Sequence, residues 1–161
     1  MLRHPRFRAV HLGIFVFIGP RELYLFERVG AMMKAKTVLC VDDDAAGLLV
    51  RTRIFEMSGY KVLAAAGGRQ ALELFAREPV DAVLLDYCMP DMNGDAVAEE
   101  IRRLNPSVPL VLLSAYPSLP ERVLQVVDKV IAKPQHPQVL LNLLASVFAE
   151  TATCPPDQSA A

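Results

Sequence analysis

Two apolar runs in this chain stop in carboxylates. Val38-Leu39-Cys40-Val41 runs into Asp42-Asp43-Asp44, and Ala82-Val83-Leu84-Leu85 runs into Asp86. The segment after Asp86, Tyr87-Cys88-Met89-Pro90-Asp91-Met92-Asn93-Gly94, reads as a loop. Two buried strands that end this way would form one acidic pocket at the carboxyl edge of a parallel sheet, where open α/β sheets bind ligands. Two carboxylates about 4 Å apart repel by roughly 4 kcal/mol at an effective dielectric of 20, or about three pKa units. Three acids therefore need a cation. Mg²⁺ suits them, because it takes oxygen ligands and binds phosphate through one or two carboxylates. Two further runs end in Ser114 and Lys133. Mg²⁺ beside a carboxylate, a lysine and a hydroxyl is the equipment for forming an aspartyl phosphate, with the carboxylate as acceptor and catalysis by positioning and charge neutralisation.

These residues need a scaffold that brings four strand ends to one rim. From Thr37 onward strand and helix signals alternate. Strands are expected over Thr37–Val41, Lys61–Ala65, Asp81–Asp86, Leu110–Ser114 and Lys129–Ala132. Helices are expected over Asp44–Ser58, Gly68–Arg77, Gly94–Leu104, from Ser118-Leu119-Pro120-Glu121 to Val127, and Pro137–Ala149. In the first helix Ala45, Leu48, Leu49, Thr52 and Phe55 share helical spacing, and Gly59 is placed to end it. In the second, Ala71, Leu72, Phe75 and Ala76 are expected to face inward, and in the third Val97, Ile101 and Leu104. Ser118 is expected to cap the fourth helix. Such alternation predicts an α/β fold: a doubly wound, five-stranded parallel sheet in the order 2-1-3-4-5, flavodoxin-like. In that order strands one, three and four are neighbours and five follows four, so all four chemistries converge.

The chain has 161 residues, 53% of them hydrophobic, enough for one domain with a core. Its net charge of −1 gives no field that would favour nucleic acid or a membrane. Residues 1–33 differ, with five Arg against two Glu, net +3. There Arg3, His4, Arg6 and Arg8 precede an apolar stretch over 9–18 that is too short to span a bilayer. The order mimics a signal peptide, but no small-x-small cleavage site follows promptly. Residues 1–35 are read as an extension outside the domain, either preceding the true start at Met32 or Met33 or disordered. Residues 36–149 form the domain, and 150–161 a disordered tail. Twelve residues follow Ala149 in this sequence, and a stand-alone domain that acts through protein contacts is expected. Cys40, Cys88 and Cys154 lack the spacing of a zinc site or disulfide framework, and a reduced, cytoplasmic setting is expected. Cys40 is expected in the core.

The combination resembles the receiver domain of two-component response regulators. The matching residues are Val41-Asp42-Asp43-Asp44, Leu85-Asp86 with Met89-Pro90-Asp91-Met92-Asn93-Gly94, Leu113-Ser114-Ala115 and Lys133-Pro134. They cover about residues 36–149. The resemblance implies Asp42 and Asp43 as the acid pair for Mg²⁺, with the Cys88 backbone carbonyl completing the metal shell. It implies Asp86 as phosphoacceptor, Ser114 as switch hydroxyl and Lys133 as phosphate partner, with a cis Lys133–Pro134 bond. It also implies loading by a sensor histidine kinase or histidine phosphotransfer protein, and no turnover of a separate substrate. The output or homodimer surface would be the face of the fourth helix, fifth strand and last helix, where the nearly all-apolar last helix is expected to stay partly exposed. Direct binding to nucleic acid or membrane is not expected.

Two departures stand out. Val130 holds the place where the family usually has an aromatic switch residue, and the stretch from Ser114 to Lys133 is short. They raise an alternative, a degenerate receiver that binds protein independently of phosphorylation. Asp86 is followed by Tyr87-Cys88, which lacks the second acid of aspartyl-phosphate phosphatases. Gly67-Gly68 is too short for a nucleotide phosphate loop.

Overall fold

The computed structural model describes residues 35–152, with side chains through 149. The N-terminal extension up to residue 34 and the tail from 153 lie outside the described residues. The elements are β1 (Thr37–Val41), α1 (Ala45–Met57), β2 (Lys61–Ala65), α2 (Gly68–Arg77), β3 (Ala82–Asp86), α3 (Gly94–Leu104), β4 (Leu110–Ser114), α4 (Glu121–Leu124), β5 (Lys129–Ala132) and α5 (Pro137–Ala152). All strand pairs are parallel, in the order β2-β1-β3-β4-β5.

Continuous apolar runs form β1, β3 and β4 because helices cover both faces of the sheet. Successive residues alternate between two cores. Leu39, Val41, Val83, Leu85, Leu110 and Leu112 pack with Ala71 of α2, Val97 and Ile101 of α3 and Val123 of α4. Val38, Cys40, Leu84, Val111 and Leu113 pack with Leu48 and Phe55 of α1 and Leu140, Leu144 and Val147 of α5. Burial of each large side chain stabilises the fold by about 1.5–3 kcal/mol.

Local chemistry sets the element ends. The Asp44 carboxylate caps α1 by accepting from the Ala46 and Gly47 N–H groups, both at 3.2 Å. After α1 the chain turns at Gly59, whose φ of +91° suits only glycine well. In α3, Asp95 in the first turn and Arg102 and Arg103 in the last complement the helix dipole. The Lys133–Pro134 bond is cis, as the resemblance implies.

The structure corrects several expectations. The buried stripe of α1 runs through Leu48 and Phe55, while Ala45 and Leu49 are exposed and Thr52 is only partly covered. Ala76 and Leu104 are exposed as well, at the ends of their stripes. Ser118 does not cap α4, which is preceded by Pro120 and lasts one turn. The chain has no room for more, because the Asp128 N–H must already pair with the Leu110 carbonyl to start β5. α5 continues three residues past Ala149, since no proline intervenes before Pro155. The apolar last helix is partly exposed, as expected: Val139 is exposed, Leu141, Leu143 and Phe148 are half-buried against the core, and Leu140, Leu144 and Val147 are buried. The Phe148 ring lies 5.7 Å from that of Tyr60, so α5 is held against the α1–β2 turn. Among the described residues no helix is long and apolar enough to cross a membrane.

Candidate functional site

The ends of β1, β3, β4 and β5 do meet at one rim. Backbone hydrogen bonds tie them together beyond the strands. Tyr87 N–H donates to the Leu113 carbonyl at 2.9 Å, and Lys133 N–H to the Ser114 carbonyl at 2.7 Å. Each site residue thus leaves the sheet from a position fixed by its neighbour strand.

Asp42, Asp43 and Asp86 converge there, one carboxylate oxygen from each lying within 4.8 Å of the others. Asp42 and Asp86 are buried and Asp43 is exposed, so the cluster has a dry floor and an open mouth. Lys133 reaches into it from the loop after β5. Its Nζ lies 2.9 Å from Asp86 Oδ1 and 3.0 Å from Asp42 Oδ2. Burial alone would lower the lysine pKa, but hydrogen bonds to Asp86 and Asp42 outweigh it and raise it. Lys133 is therefore a fixed positive charge at neutral pH. Ser114 is buried at the adjacent strand end, where its Oγ accepts from the Tyr116 N–H at 3.0 Å. Cys88 is exposed in the loop after β3.

The loop between β3 and α3 is pinned at both ends. Met89 is buried in the core. Asp91 accepts from the Gly68 and Arg69 N–H groups at 3.1 and 3.2 Å, capping α2. Those bonds, Arg69's first and Gly68's next, hold the Asp91 carboxyl below its ordinary pKa. At the far end Gly94 N–H donates to the Tyr87 carbonyl at 2.8 Å.

One charged residue of the site escaped the sequence reading. Arg51, in the middle of α1, places Nη2 3.0 Å from Asp42 Oδ2, the oxygen that Lys133 also contacts. Its side chain is 13% exposed. Burial would raise the Asp42 pKa, yet the Asp44 N–H, Lys133 and Arg51 together pull it below the usual carboxylate value. A signal for Arg51 existed, since it lies three residues after Leu48 and four before Phe55, on the buried stripe. A charge on an apolar helix face needs a partner.

Val130 is exposed on β5. The loops after β3 and β4 carry an aromatic pair, in which the Tyr116 and Tyr87 rings meet edge to face with centroids 5.9 Å apart. Tyr116 Oη also lies 3.9 Å from Cys88 Sγ.

The donor set fits Mg²⁺: hard carboxylate oxygens, clustered, with an open side for water and phosphate. Beside it stand a nucleophile-capable carboxylate, a lysine and a hydroxyl, which can position and neutralise a transferring phosphoryl group.

Comparisons with known proteins agree. The family model described as the response regulator receiver domain matches residues 38–145. A CheY-like response regulator receiver domain protein from Methanospirillum hungatei is 32% identical, with a TM-score of 0.70 over 74% of this chain and 98% of that one. The response regulator TrrA from Thermotoga maritima, in a crystal structure of its Mg²⁺–BeF complex, is 27% identical, with a TM-score of 0.65 over 70% of this chain and 98% of that one. The response regulator MprA of Mycobacterium leprae is 35% identical over 126 residues, 76% of this chain and 54% of that protein. The chain spans about half the length, or less, of the curated relatives it matches. With the five-stranded parallel order and the acidic rim, these matches establish that the chain belongs to the response regulator receiver domain family.

Proposed function

We propose that the chain is a phosphoacceptor of a two-component phosphorelay, phosphorylated on Asp86 by the phosphohistidine of a sensor histidine kinase or histidine phosphotransfer protein. The observation that carries this reading is Lys133 Nζ bridging Asp86 and Asp42 inside a cluster of three acids. An Asp86 carboxylate oxygen attacks phosphorus, the phosphorus–nitrogen bond breaks with its electron pair going to nitrogen, and the donor's ring, already protonated on its other nitrogen, leaves as neutral imidazole. Lys133 steadies one side of the phosphoryl group, and the Ser114 hydroxyl, released from the Tyr116 N–H, donates to another of its oxygens. Asp42, Asp43, Asp86 and the Cys88 carbonyl would hold Mg²⁺. Bound there, the ion supplies charge neutralisation for the transferring phosphoryl oxygens.

Hydrolysis of the acyl phosphate returns the chain to its starting state, so it is a signalling module and not a substrate-turnover enzyme. Its setting is the cytoplasm. Output passes by protein contact or homodimerisation at the face of α4, β5 and α5, where Leu124 and Val130 are exposed. A charge placed at Leu124 that leaves association and partner binding unchanged would move the surface elsewhere.

The second reading, a phosphorylation-independent binding module, draws on Val130 and the one-turn α4. Beryllofluoride titration in Mg²⁺, followed by NMR, separates the two. Shifts at Asp86, Ser114 and Lys133 that vanish in EDTA support the phosphoacceptor. An unchanged spectrum supports the binding module.

A further inference from the structure

Asp42, Asp43 and Asp86 bring three negative charges to the rim, and Lys133 alone would leave two of them unbalanced. Arg51 changes that balance to one. Its Nη2 shares Asp42 Oδ2 with Lys133 Nζ, both at 3.0 Å, while Asp42 Oδ1 accepts from the Asp44 N–H at 3.0 Å. Both oxygens of the most buried acid are thus already engaged. The second guanidinium nitrogen, Nη1, is buried and meets no acceptor among the described residues. Water does not reach that side of the guanidinium, so its positive charge acts on the rim with little screening. Arg51, Lys133 and Asp42 also line one cleft of about 450 Å³, walled by Val50, Leu113 and Leu140.

We propose that Arg51 is a specificity-determining cation of the site, one that opposes Mg²⁺ in the free protein and favours the phosphoryl group once it is present. This rests on the phosphoacceptor reading and deepens it. A divalent ion entering alone meets two cations and an acid whose oxygens are already hydrogen-bonded. A phosphoryl group adds negative charge, after which the same two cations are attractive. Arg51 thereby makes metal binding conditional on the phosphoryl group: weak for either alone, tight for both.

The test uses the full chain with Arg51→Gln, which removes the charge, and Arg51→Lys, which keeps it. Mg²⁺ binding is measured by titration calorimetry without phosphodonor, then beryllofluoride affinity in saturating Mg²⁺ by tyrosine fluorescence. Arg51→Gln is expected to bind Mg²⁺ about tenfold tighter and beryllofluoride about fivefold more weakly, and Arg51→Lys to match wild type in both. Unchanged or weaker Mg²⁺ binding by a folded Arg51→Gln chain overturns the proposal, and shows that Arg51 only holds Asp42 in place. So does Arg51→Lys behaving as Arg51→Gln, which would make the guanidinium shape and not its charge decisive. A wild-type chain that binds neither ligand overturns the phosphoacceptor reading itself, and this inference with it.

Discussion

A single methyl group at position 94 is expected to disturb the site from below. Gly94 is buried at the start of α3 and bonded to the Tyr87 carbonyl. A Cβ there would lie 2.3 Å from the Asp86 carbonyl oxygen and 2.8 Å from Tyr87 Cα. Both belong to the backbone that carries the proposed phosphoacceptor, so no side chain can turn aside. Ordinary contact begins at 3.4 Å, so about 1 Å of backbone movement is required. Overpacking costs about 1–3 kcal/mol, and backbone neighbours put this case near 3. At roughly 4 °C per kcal/mol, Gly94→Ala should melt about 12 °C early. A displacement of that size at a reacting centre costs about 100-fold in rate. Gly59→Ala is the contrasting variant: nothing lies within 4 Å of its Cβ, and only the +91° backbone is strained. It should cost about 1–2 kcal/mol and leave phosphorylation alone. Thermal melts and initial rates of labelling by acetyl phosphate read both effects. If Gly94→Ala melts within about 2 °C of wild type and labels at the same rate, the reasoning is wrong.

Three further outcomes follow from the same geometry. Lys133→Met removes the ammonium shared by Asp42 and Asp86, and labelling by acetyl phosphate should slow by about 10²–10³-fold with the fold intact by circular dichroism. Burial pushes the Cys40 thiol from 9.0 up to about 12, so its neutral form stabilises the fold fully below pH 9 and progressively less as pH rises toward 12. Native Cys40 should resist iodoacetamide at pH 8 while Cys88 reacts, and Cys40→Ala should flatten the alkaline fall of urea-derived stability by up to about 1.4 kcal/mol per pH unit. Arg102 donates to the carbonyls of Val126, Pro106 and Val108 and pairs with Asp128. Arg102→Ala should cost about 2–3 kcal/mol by denaturant titration and raise amide exchange between α4 and β5.

The strands were legible because burial on both faces demands unbroken apolar runs, and four of the five match their observed limits. The acidic rim was legible for a related reason, since a carboxylate that ends such a run lies at the sheet edge. Where the reading failed, the decisive contacts were distant in sequence. The length of α4 depends on Asp128 joining β5 and on Arg102, 26 residues earlier, holding that junction. Spacing alone placed Ala45, Leu48, Leu49, Thr52 and Phe55 on the inner face of α1, and packing buried only Leu48 and Phe55 of these. Arg51 was hidden by the same misplacement, because the stripe that buries it was drawn one residue to the side. The partial exposure of α5 was legible, since a helix apolar on nearly every side has more apolar surface than one sheet face can cover, and Val139 is left exposed.

The central claim is that Asp86 alone accepts the phosphoryl group. The most direct test is intact mass and acid-lability of the full chain after acetyl phosphate treatment, for wild type and Asp86→Asn, with Mg²⁺ and with EDTA. One acid-labile phosphoryl group on wild type in Mg²⁺, and none in the other three samples, is the expected result. Full labelling of Asp86→Asn, or undiminished labelling of wild type in EDTA, would contradict it.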